Sequence, residues 1–310
     1  MIEVIETVGA TGVRLAAPLL LAALGELFAE RSGVLNLGIE GMMLMGAISG
    51  FWATYITQSL FLGVLAAVMV GGLMGLLMAF LSVSLRANQI VAGLALWILG
   101  LGLSGFIYRV AMWGPYAYPR VSTFADIAIP GLSRIPVLGP ILFDHSILVY
   151  LSLIAVPICF FLLFKTTWGL KVTAVGENPR AADTLGINVL RTRYICVIIG
   201  GILAGVAGAF LPLVWMGSFN ENMTAGRGFI AFALVIFGAW KPWRILAGSL
   251  LFGCIDAAQM RLQASGGIWI YSYQFLLMLP YILTIVALVI LSRRAGAPAA
   301  LTKPYVRGAG

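Results

Sequence analysis

Polar side chains inside long apolar stretches are the residues of this sequence that could perform chemistry. They are Asn36, Glu40, Asn88, Gln89 and Asn220. Amide and carboxyl groups are costly to bury in an apolar surrounding, so they are functional candidates by default. They could line a pathway and hydrogen-bond a polar solute, or they could only pack, cap helices and hold bends. For Glu40 we favour a structural role, bonded to backbone amides of its own segment or paired with Arg31.

Few residues of the sequence are suited to catalysis or to cofactor binding. His145 is the only histidine, which leaves little basis for a metal cluster or a His-based triad. The three cysteines lie far apart, in or beside apolar runs, without metal-ligand spacing. No Lys-Ser/Thr pair follows a glycine-rich turn, which excludes a P-loop. We therefore predict that the chain is not an enzyme and that it binds no metal, ATP or other cofactor itself.

The composition places the chain in a membrane. Of its 310 residues, 61% are hydrophobic and 10% are charged, against roughly 25% charged in soluble domains. Apolar runs of bilayer-spanning length recur throughout. We predict one all-α domain over residues 1–310, a polytopic membrane protein with about eight to ten transmembrane helices, some of them interrupted. The predicted spans are 13–29, 36–57, 60–83, 88–108, 146–165, 194–216, 226–241, 244–263 and 273–292.

The net charge of +8 is concentrated in two clusters rather than spread as on a nucleic-acid-binding surface. Such clusters beside apolar spans indicate the cytoplasmic face. The first lies in the connection 166–193 and the adjacent Lys165, and the second lies in the C-terminal tail; together they contain Lys165, Lys171, Arg180, Arg191, Arg193, Arg293, Arg294, Lys303 and Arg307. We therefore predict that 166–193 is cytoplasmic, that the proline-rich connection 110–145 is external, and that the N-terminus lies outside.

A short helix is predicted within the basic connection. Asn178 suits an N-cap, Pro179 suits the first helical position, and Gly186 can adopt the left-handed conformation that ends a helix. These signals define a helix of about two turns over 178–185, too short to span a bilayer. The small side chains of Ala181 and Ala182 would leave a slim surface that a partner groove could hold.

A second informative stretch runs from Gly25 to Met43. Its glycines, with Asn36 and Glu40, are costly inside an apolar region unless the helix is interrupted there. A weak echo, Gly33-x-x-Asn36 and Gly217-x-x-Asn220, suggests interruptions at matching positions of a two-fold design.

Charged and amide groups near the outer ends of the spans predict further pairings. Arg227 is expected to neutralise Glu221 across the outer mouth. Asp256 and Gln259, about one helical turn apart on one face, are expected to make interhelical hydrogen bonds.

Both stretches carry a resemblance to ABC importer permeases. Ala181-Ala182-x-x-x-Gly186 resembles the latter part of their Glu-Ala-Ala-x-x-x-Gly motif, although Arg180 stands where the motif has Glu. Gly33-Val-Leu-Asn-Leu-Gly-x-Glu-Gly41 is similar to a motif of the branch that transports nucleosides with a BMP lipoprotein. That branch belongs to the permeases for simple sugars, branched-chain amino acids and nucleosides. Further similarities are Gly226–Ala231, Leu279–Tyr281 and Ala300–Tyr305.

The resemblance implies a permease that forms half of a translocation pathway in a bacterial cytoplasmic membrane. It implies a separate ATPase subunit that binds ATP and Mg²⁺, a second permease (a homologous chain or a copy of this one) and an extracytoplasmic substrate-binding protein. The bilayer would be its lipid partner, and nucleic acid would not be a partner. Coupling to the ATPase would involve the helix 178–185 and its flanks, namely Glu177, Asn178, Pro179, Arg180, Ala181, Ala182, Asp183 and Gly186.

The implied substrates are nucleosides or related nucleobases. Simple sugars are the alternative within the family. An ion-coupled secondary transporter is an alternative of another class, but the capped helix in the basic connection would then have no evident role.

Overall fold

The computed structural model describes residues 2–111, 119–264 and 296–306, together with Met278, Ile282 and Val286. Helices dominate this part of the chain, and two short strands lie in its longest connection. The helices are α1 (Ile2–Arg31), α2 (Ile39–Thr57), α3 (Leu60–Ala79), α4 (Gln89–Ala111), α5 (Leu138–Leu142), α6 (Ile147–Phe164), α7 (Thr167–Glu177), α8 (Pro179–Thr184), α9 (Val189–Phe210), α10 (Arg227–Phe237) and α11 (Pro242–Ala264). The strands are β1 (Asp126–Ala128) and β2 (Asp144–Ser146).

Six of the described helices are long and apolar enough to cross a membrane, which confirms an all-α polytopic membrane protein. Two predicted spans take a different form. The region 226–241 contains only the 11-residue α10, about half the length that a crossing requires. The region 36–57 becomes α2, which begins at Ile39 inside the bundle. The predicted span 273–292 lies outside the described ranges.

Small residues bring α9 into backbone contact with α2 and α3. A methyl group added at Gly201 would meet the carbonyl oxygen of Gly71, and one at Gly205 would meet that of Ala67. A methyl group at Gly46 of α2 would meet Gly205 itself. Within a bilayer, such close approach supplies much of the packing energy between helices. The glycine-rich runs therefore serve as packing surfaces, and α9 lies at the centre of the bundle.

The two ends of α1 mark the two ends of the bundle. Near its N-terminus, Glu6 Oε1 accepts the Val137 N–H at 3.1 Å, and further along the helix the Arg14 guanidinium contacts the Asp126 carboxylate in β1 at 2.6 Å. At its C-terminus, the Arg31 carbonyl packs against Gly176 at the end of α7. The long connection with its antiparallel β1–β2 pair therefore lies at one end of the bundle, together with the N-terminal part of α1. The segment 166–193 lies at the opposite end.

Candidate functional site

The break between α1 and α2 is held by side chains from neighbouring helices. Gly33 has a positive φ of 89°, which turns the chain after α1. The buried Asn36 accepts the Gly38 N–H at 3.1 Å through its side-chain oxygen, and its own backbone N–H donates to Glu26 Oε1 at 2.9 Å. Gln89 Oε1 accepts the Leu35 N–H at 2.8 Å. These bonds satisfy backbone groups that the missing helical turn would otherwise leave unpaired.

Glu40, in the first turn of α2, joins the N-terminal ends of two helices. Its Oε1 accepts hydrogen bonds from Thr224 Oγ1 at 2.6 Å and from the Gly226 N–H at 2.8 Å. Its Oε2 accepts the Gly228 N–H at 2.5 Å. Gly226 and Gly228 flank the start of α10, where free N–H groups give the helix end a partial positive charge. The buried carboxylate thus compensates the N-terminal dipoles of both α2 and α10.

The structural role favoured for Glu40 matches this hydrogen bonding, but both predicted sets of partners are wrong. The amides belong to α10 rather than to the segment of Glu40 itself. Arg31 instead donates from Nη2 to the Trp240 carbonyl oxygen at 2.9 Å, and its guanidinium lies 5.2 Å from the centre of the Phe164 ring. Arg31 therefore joins α1 to the end of α10 and to α6, away from Glu40.

The junction at Glu40 explains why glycine is required at position 228. A Cβ there would lie 2.6 Å from Glu40 Cα and 2.7 Å from Glu40 N. Real Cβ atoms do not approach backbone atoms so closely, so α2 and α10 can meet at this distance only with glycine. The stretch Gly226–Ala231, noted for its resemblance to the permeases, therefore has a direct physical function at this crossing.

The echo between the two interrupted regions has a structural counterpart. Like Gly33, Gly217 has a positive φ, here 65°, and it ends the π-helical extension of α9, Leu211–Met216. In both regions a long helix is followed by a break and then by a helix that begins inside the bundle. The helices α1 and α9 run in opposite directions, because Arg193 near the start of α9 bonds Ser32 after α1, while Val13 of α1 packs with Phe210 at the end of α9. Broken helices in two such regions are typical of transport proteins.

The prediction that Arg227 pairs with Glu221 is wrong. Glu221 accepts two hydrogen bonds from Arg109, at 2.7 and 2.9 Å, and this contact lowers the pKa of the Glu221 carboxyl. Arg227 instead lies 3.9 Å from Asp256 on α11, and its guanidinium lies 5.3 Å from the centre of the Trp215 ring. Asp256 therefore joins α10 and α11 through an ion pair that is longer than the expected hydrogen bond, and within the described residues the buried Gln259 Oε1 has no hydrogen-bond partner.

The remaining candidate pathway residues lie in two places: Asn88 and Gln89 are adjacent at the start of α4, and Asn220 lies between α9 and α10. Asn88 is exposed and caps α4, since its Oδ1 accepts the Ile90 N–H at 3.0 Å. Gln89 is buried at the first break, whereas Asn220 is exposed in the connection between α9 and α10. Beside that connection lies an open cleft of about 460 Å³ lined by Leu101, Gly102, Gly105, Phe106, Arg109, Glu221 and Asn222.

The predicted capped helix is α8, Pro179–Thr184. The Asn178 side chain caps it by accepting the Ala181 N–H at 3.1 Å, and Gly186 ends the turn with a φ of 79°. Glu177, Arg180 and Ala181 are exposed, and Asp183 is partly exposed. The preceding segment, expected as loop, forms α7, which Thr166 caps by accepting the Gly169 N–H at 3.1 Å.

Ala182 lies on the inner side of α8. It is 2% exposed and packs in a small cluster with Val175, Val189 and Tyr305. Of the two alanines proposed as a slim surface for a partner, only Ala181 therefore lies on the outer side.

Sequence reasoning missed two buried carboxyl groups in α1. Glu26 and Glu30 are both 0% exposed, and Glu30 Oε2 accepts the Trp240 indole N–H at 2.5 Å. Their spacing of four places them on one face of the helix, and this spacing inside an apolar run was the available signal. Glu30 and Arg31 fasten the end of α1 to Trp240 in the turn that follows α10, whereas Glu26 accepts the Asn36 N–H in the interrupted segment.

Comparison with known proteins gives consistent matches over most of the chain. A family model described as branched-chain amino acid transport system / permease component matches residues 10–290. The guanosine ABC transporter permease protein NupQ of Bacillus subtilis is 40% identical, over 94% of each chain. The nucleoside ABC transporter permease protein NupC of Lactococcus lactis is 36% identical, over 94% of this chain and 93% of its own.

A third relative is TsgC13 of Haloferax volcanii, which is provisionally assigned as a glucose ABC transporter permease protein. It is 43% identical, over 81% of this chain and 76% of its own. No solved structure matches significantly. The family and these relatives are permease components, which are not themselves enzymes. With its membrane-spanning helices and interrupted segments, this chain therefore belongs to the branched-chain amino acid transport system / permease component family and is a permease subunit of an ABC transporter.

Proposed function

We propose that this chain forms half of the translocation pathway of a bacterial ABC importer for nucleosides or related nucleobases. The observation that carries the proposal is the identity of 40% and 36% to guanosine and nucleoside permeases along nearly the full chain. Simple sugars are the second candidate, favoured by the 43% identity to TsgC13.

The proposed assembly contains partners that the chain cannot replace. ATP and Mg²⁺ would be bound by a separate ATPase subunit, because the sequence has no P-loop of its own. A second permease would complete the pathway, and an extracytoplasmic binding protein would deliver the solute. The proposed location is the cytoplasmic membrane, with the basic segment 166–193 in the cytoplasm.

Uptake into proteoliposomes tests the substrate class. Vesicles would contain this permease, the second permease and the ATPase, with ATP enclosed inside and the binding protein added outside. We expect ATP-dependent uptake of labelled guanosine or adenosine that excess unlabelled nucleoside inhibits and excess glucose does not. Inhibition by excess glucose but not by excess nucleoside would favour simple sugars as the substrate class. Uptake driven by an ion gradient without ATP would refute the ABC mechanism for this chain.

We propose further that the ATPase contacts the outer side of α8, through Ala181 and the charged side chains of Glu177, Arg180 and Asp183. Because Ala181 is exposed, Ala181→Glu would leave the fold intact but place an unpaired charge in the interface. The matched control is Ala128→Glu, the same change at an exposed alanine on the opposite end of the bundle. We expect the ATPase to co-purify with the control and to be lost from Ala181→Glu. Equal retention would exclude this surface.

Solute contacts are proposed at the interrupted segment around Asn36 and Glu40, with Asn88, Gln89 and Asn220 as further candidates. Buried polar groups discriminate among ligands because a wrong ligand leaves them unpaired, at about 1–3 kcal/mol each. The exposed Asn220 can be changed without disturbing a buried bond of its side chain. Competition between adenosine and guanosine, measured with Asn220→Leu, tests its contribution, and an unchanged preference would remove it from the pathway.

A further inference from the structure

The C-terminal segment 296–306, here called the C-terminal strap, is bonded to the segment that contains α7 and α8. The Ala300 N–H donates to the Gly176 carbonyl oxygen at 2.9 Å, and the Ala299 N–H donates to Glu177 Oε2 at 3.3 Å. Tyr305 is 7% exposed and packs in the cluster that contains Ala182. The strap thus contacts the end of α7 through its backbone and the inner side of α8 through Tyr305.

The helix α8 depends on such contacts because it is short. It contains six residues, well below the length at which an isolated helix is stable in water. Among the described residues, its inner side packs through Ala182 in a small cluster with Val175, Val189 and Tyr305, with Ala174 and Ile187 at the margin. Tyr305 has the largest side chain of this cluster, so removing it would uncover much of the inner side of α8.

Arg193 connects the strap to the interrupted segment between α1 and α2. It is 1% exposed, and its Nε donates to the Ser32 carbonyl oxygen at 3.1 Å. Its Nη1 donates to the Lys303 carbonyl oxygen, also at 3.1 Å. The planar guanidinium holds both acceptors in a fixed geometry, which the single ammonium of lysine cannot reproduce. A chain of contacts therefore runs from α8 through Tyr305 and the strap to Arg193 and Ser32.

The strap also extends the surface beside α8. An open groove of about 380 Å³ lies between the start of α8 and the strap, and its lining includes Glu177, Arg180, Lys303 and Pro304. A protein docking on α8 would meet both segments, since the two walls of this groove belong to different parts of the chain. Charges of both signs line it, which suits a partner with a mixed polar rim.

We propose that the C-terminal strap is a positioning element of the ATPase docking surface and that Arg193 is its positioning residue toward the break at Ser32. This inference rests on the proposed contact between α8 and the ATPase. The strap holds α8 at a fixed place through Tyr305. Arg193 transmits displacement of the strap and α8 to the segment that leads to Asn36 and Glu40.

Two pairs of variants test the strap and the arginine separately. Tyr305→Ala removes the buried ring, and Tyr55→Ala is its control at an exposed tyrosine of α2. Arg193→Lys keeps the charge but loses the planar guanidinium that binds the two carbonyl oxygens. Arg191→Lys is its control at an exposed arginine. The readouts are trypsin cleavage after Arg180, retention of the ATPase, and ATP hydrolysis with and without solute and binding protein.

For Tyr305→Ala we expect cleavage after Arg180 to accelerate by about tenfold or more, because local opening of α8 becomes easier. For Arg193→Lys we expect the ATPase to be retained with normal unstimulated hydrolysis, while stimulation by solute falls to near the unstimulated rate. Both controls should behave as the unmodified protein. Unchanged cleavage in Tyr305→Ala overturns the role of the strap, and unchanged stimulation in Arg193→Lys overturns the role of the arginine.

The outcome is separable from that of the proposed function. If Ala181→Glu retains the ATPase, the contact between α8 and the ATPase is refuted, whatever the strap variants show. If Ala181→Glu loses the ATPase while Tyr305→Ala shows unchanged cleavage and Arg193→Lys shows unchanged stimulation, the contact stands and the strap has no part in it.

Discussion

Replacing Glu40 by glutamine would preserve the size of the side chain but remove its charge and one of its two acceptor oxygens. Glutamine can direct its oxygen to Gly226 and Thr224 or to Gly228, but not to both sides. In the first orientation its NH₂ group would face the Gly228 N–H, which now lies 2.5 Å from Oε2. Two donors would then oppose each other in a site that is 1% exposed.

The cost follows from the bonds lost. A hydrogen bond to a charged group contributes about 1.5–3 kcal/mol, and a buried donor without a partner costs about 1–3 kcal/mol. The loss of the carboxylate also removes the compensation of two helix N-termini, at about 0.3–1 kcal/mol each in ordinary settings. Because these terms overlap, we expect Glu40→Gln to lower the free energy of unfolding by about 3 kcal/mol.

The assay is unfolding of the purified permease in mixed micelles by titration with SDS. Glu221→Gln is the control, since that carboxylate is exposed and its pair with Arg109 should contribute little to stability. A decrease of less than about 1 kcal/mol for Glu40→Gln would be within the contribution of a single ordinary hydrogen bond. That result, or a decrease equal to that of the control, would refute the proposed junction between α2 and α10.

Three further measurements test other parts of the structure. Gly228→Ala should lower stability in the same assay by about 1–3 kcal/mol because its Cβ would clash with the Glu40 backbone, whereas Gly102→Ala, where a Cβ meets nothing within 4 Å, should not. Trp240→Phe should cost about 1–3 kcal/mol by leaving Glu30 Oε2 without its donor, and an unchanged midpoint would show that this bond contributes nothing. In a background without the native cysteines, a cysteine at 126 should react with an impermeant reagent in whole cells and one at 178 should not; the reverse pattern would invert the proposed topology.

Local features were predictable from the sequence because each depends on residues close together in the chain. Membrane insertion follows from the length and composition of the apolar runs. The capped helix α8 follows from Asn178, Pro179 and Gly186, which meet their partners within a few residues. Interruption at Gly33 likewise follows from glycines and polar residues within one apolar stretch. The motifs also sufficed to predict the permease family, which the comparisons confirm.

Tertiary structure alone decided the partners of the buried charged groups. Glu40 bonds an amide 188 residues away, and Arg193 bonds a carbonyl oxygen 161 residues away. Nothing in an amphipathic or apolar pattern states which distant helix end will lie opposite a given carboxylate, so the predicted pairs of Arg31 with Glu40 and of Arg227 with Glu221 were wrong. The inward side of Ala182 was undetermined for the same reason, since a helix of six residues has no pattern that distinguishes its faces. The sequence by itself determined that the chain is a helical membrane protein and that its helices are interrupted near Gly33, while only packing between distant segments decided which charges meet.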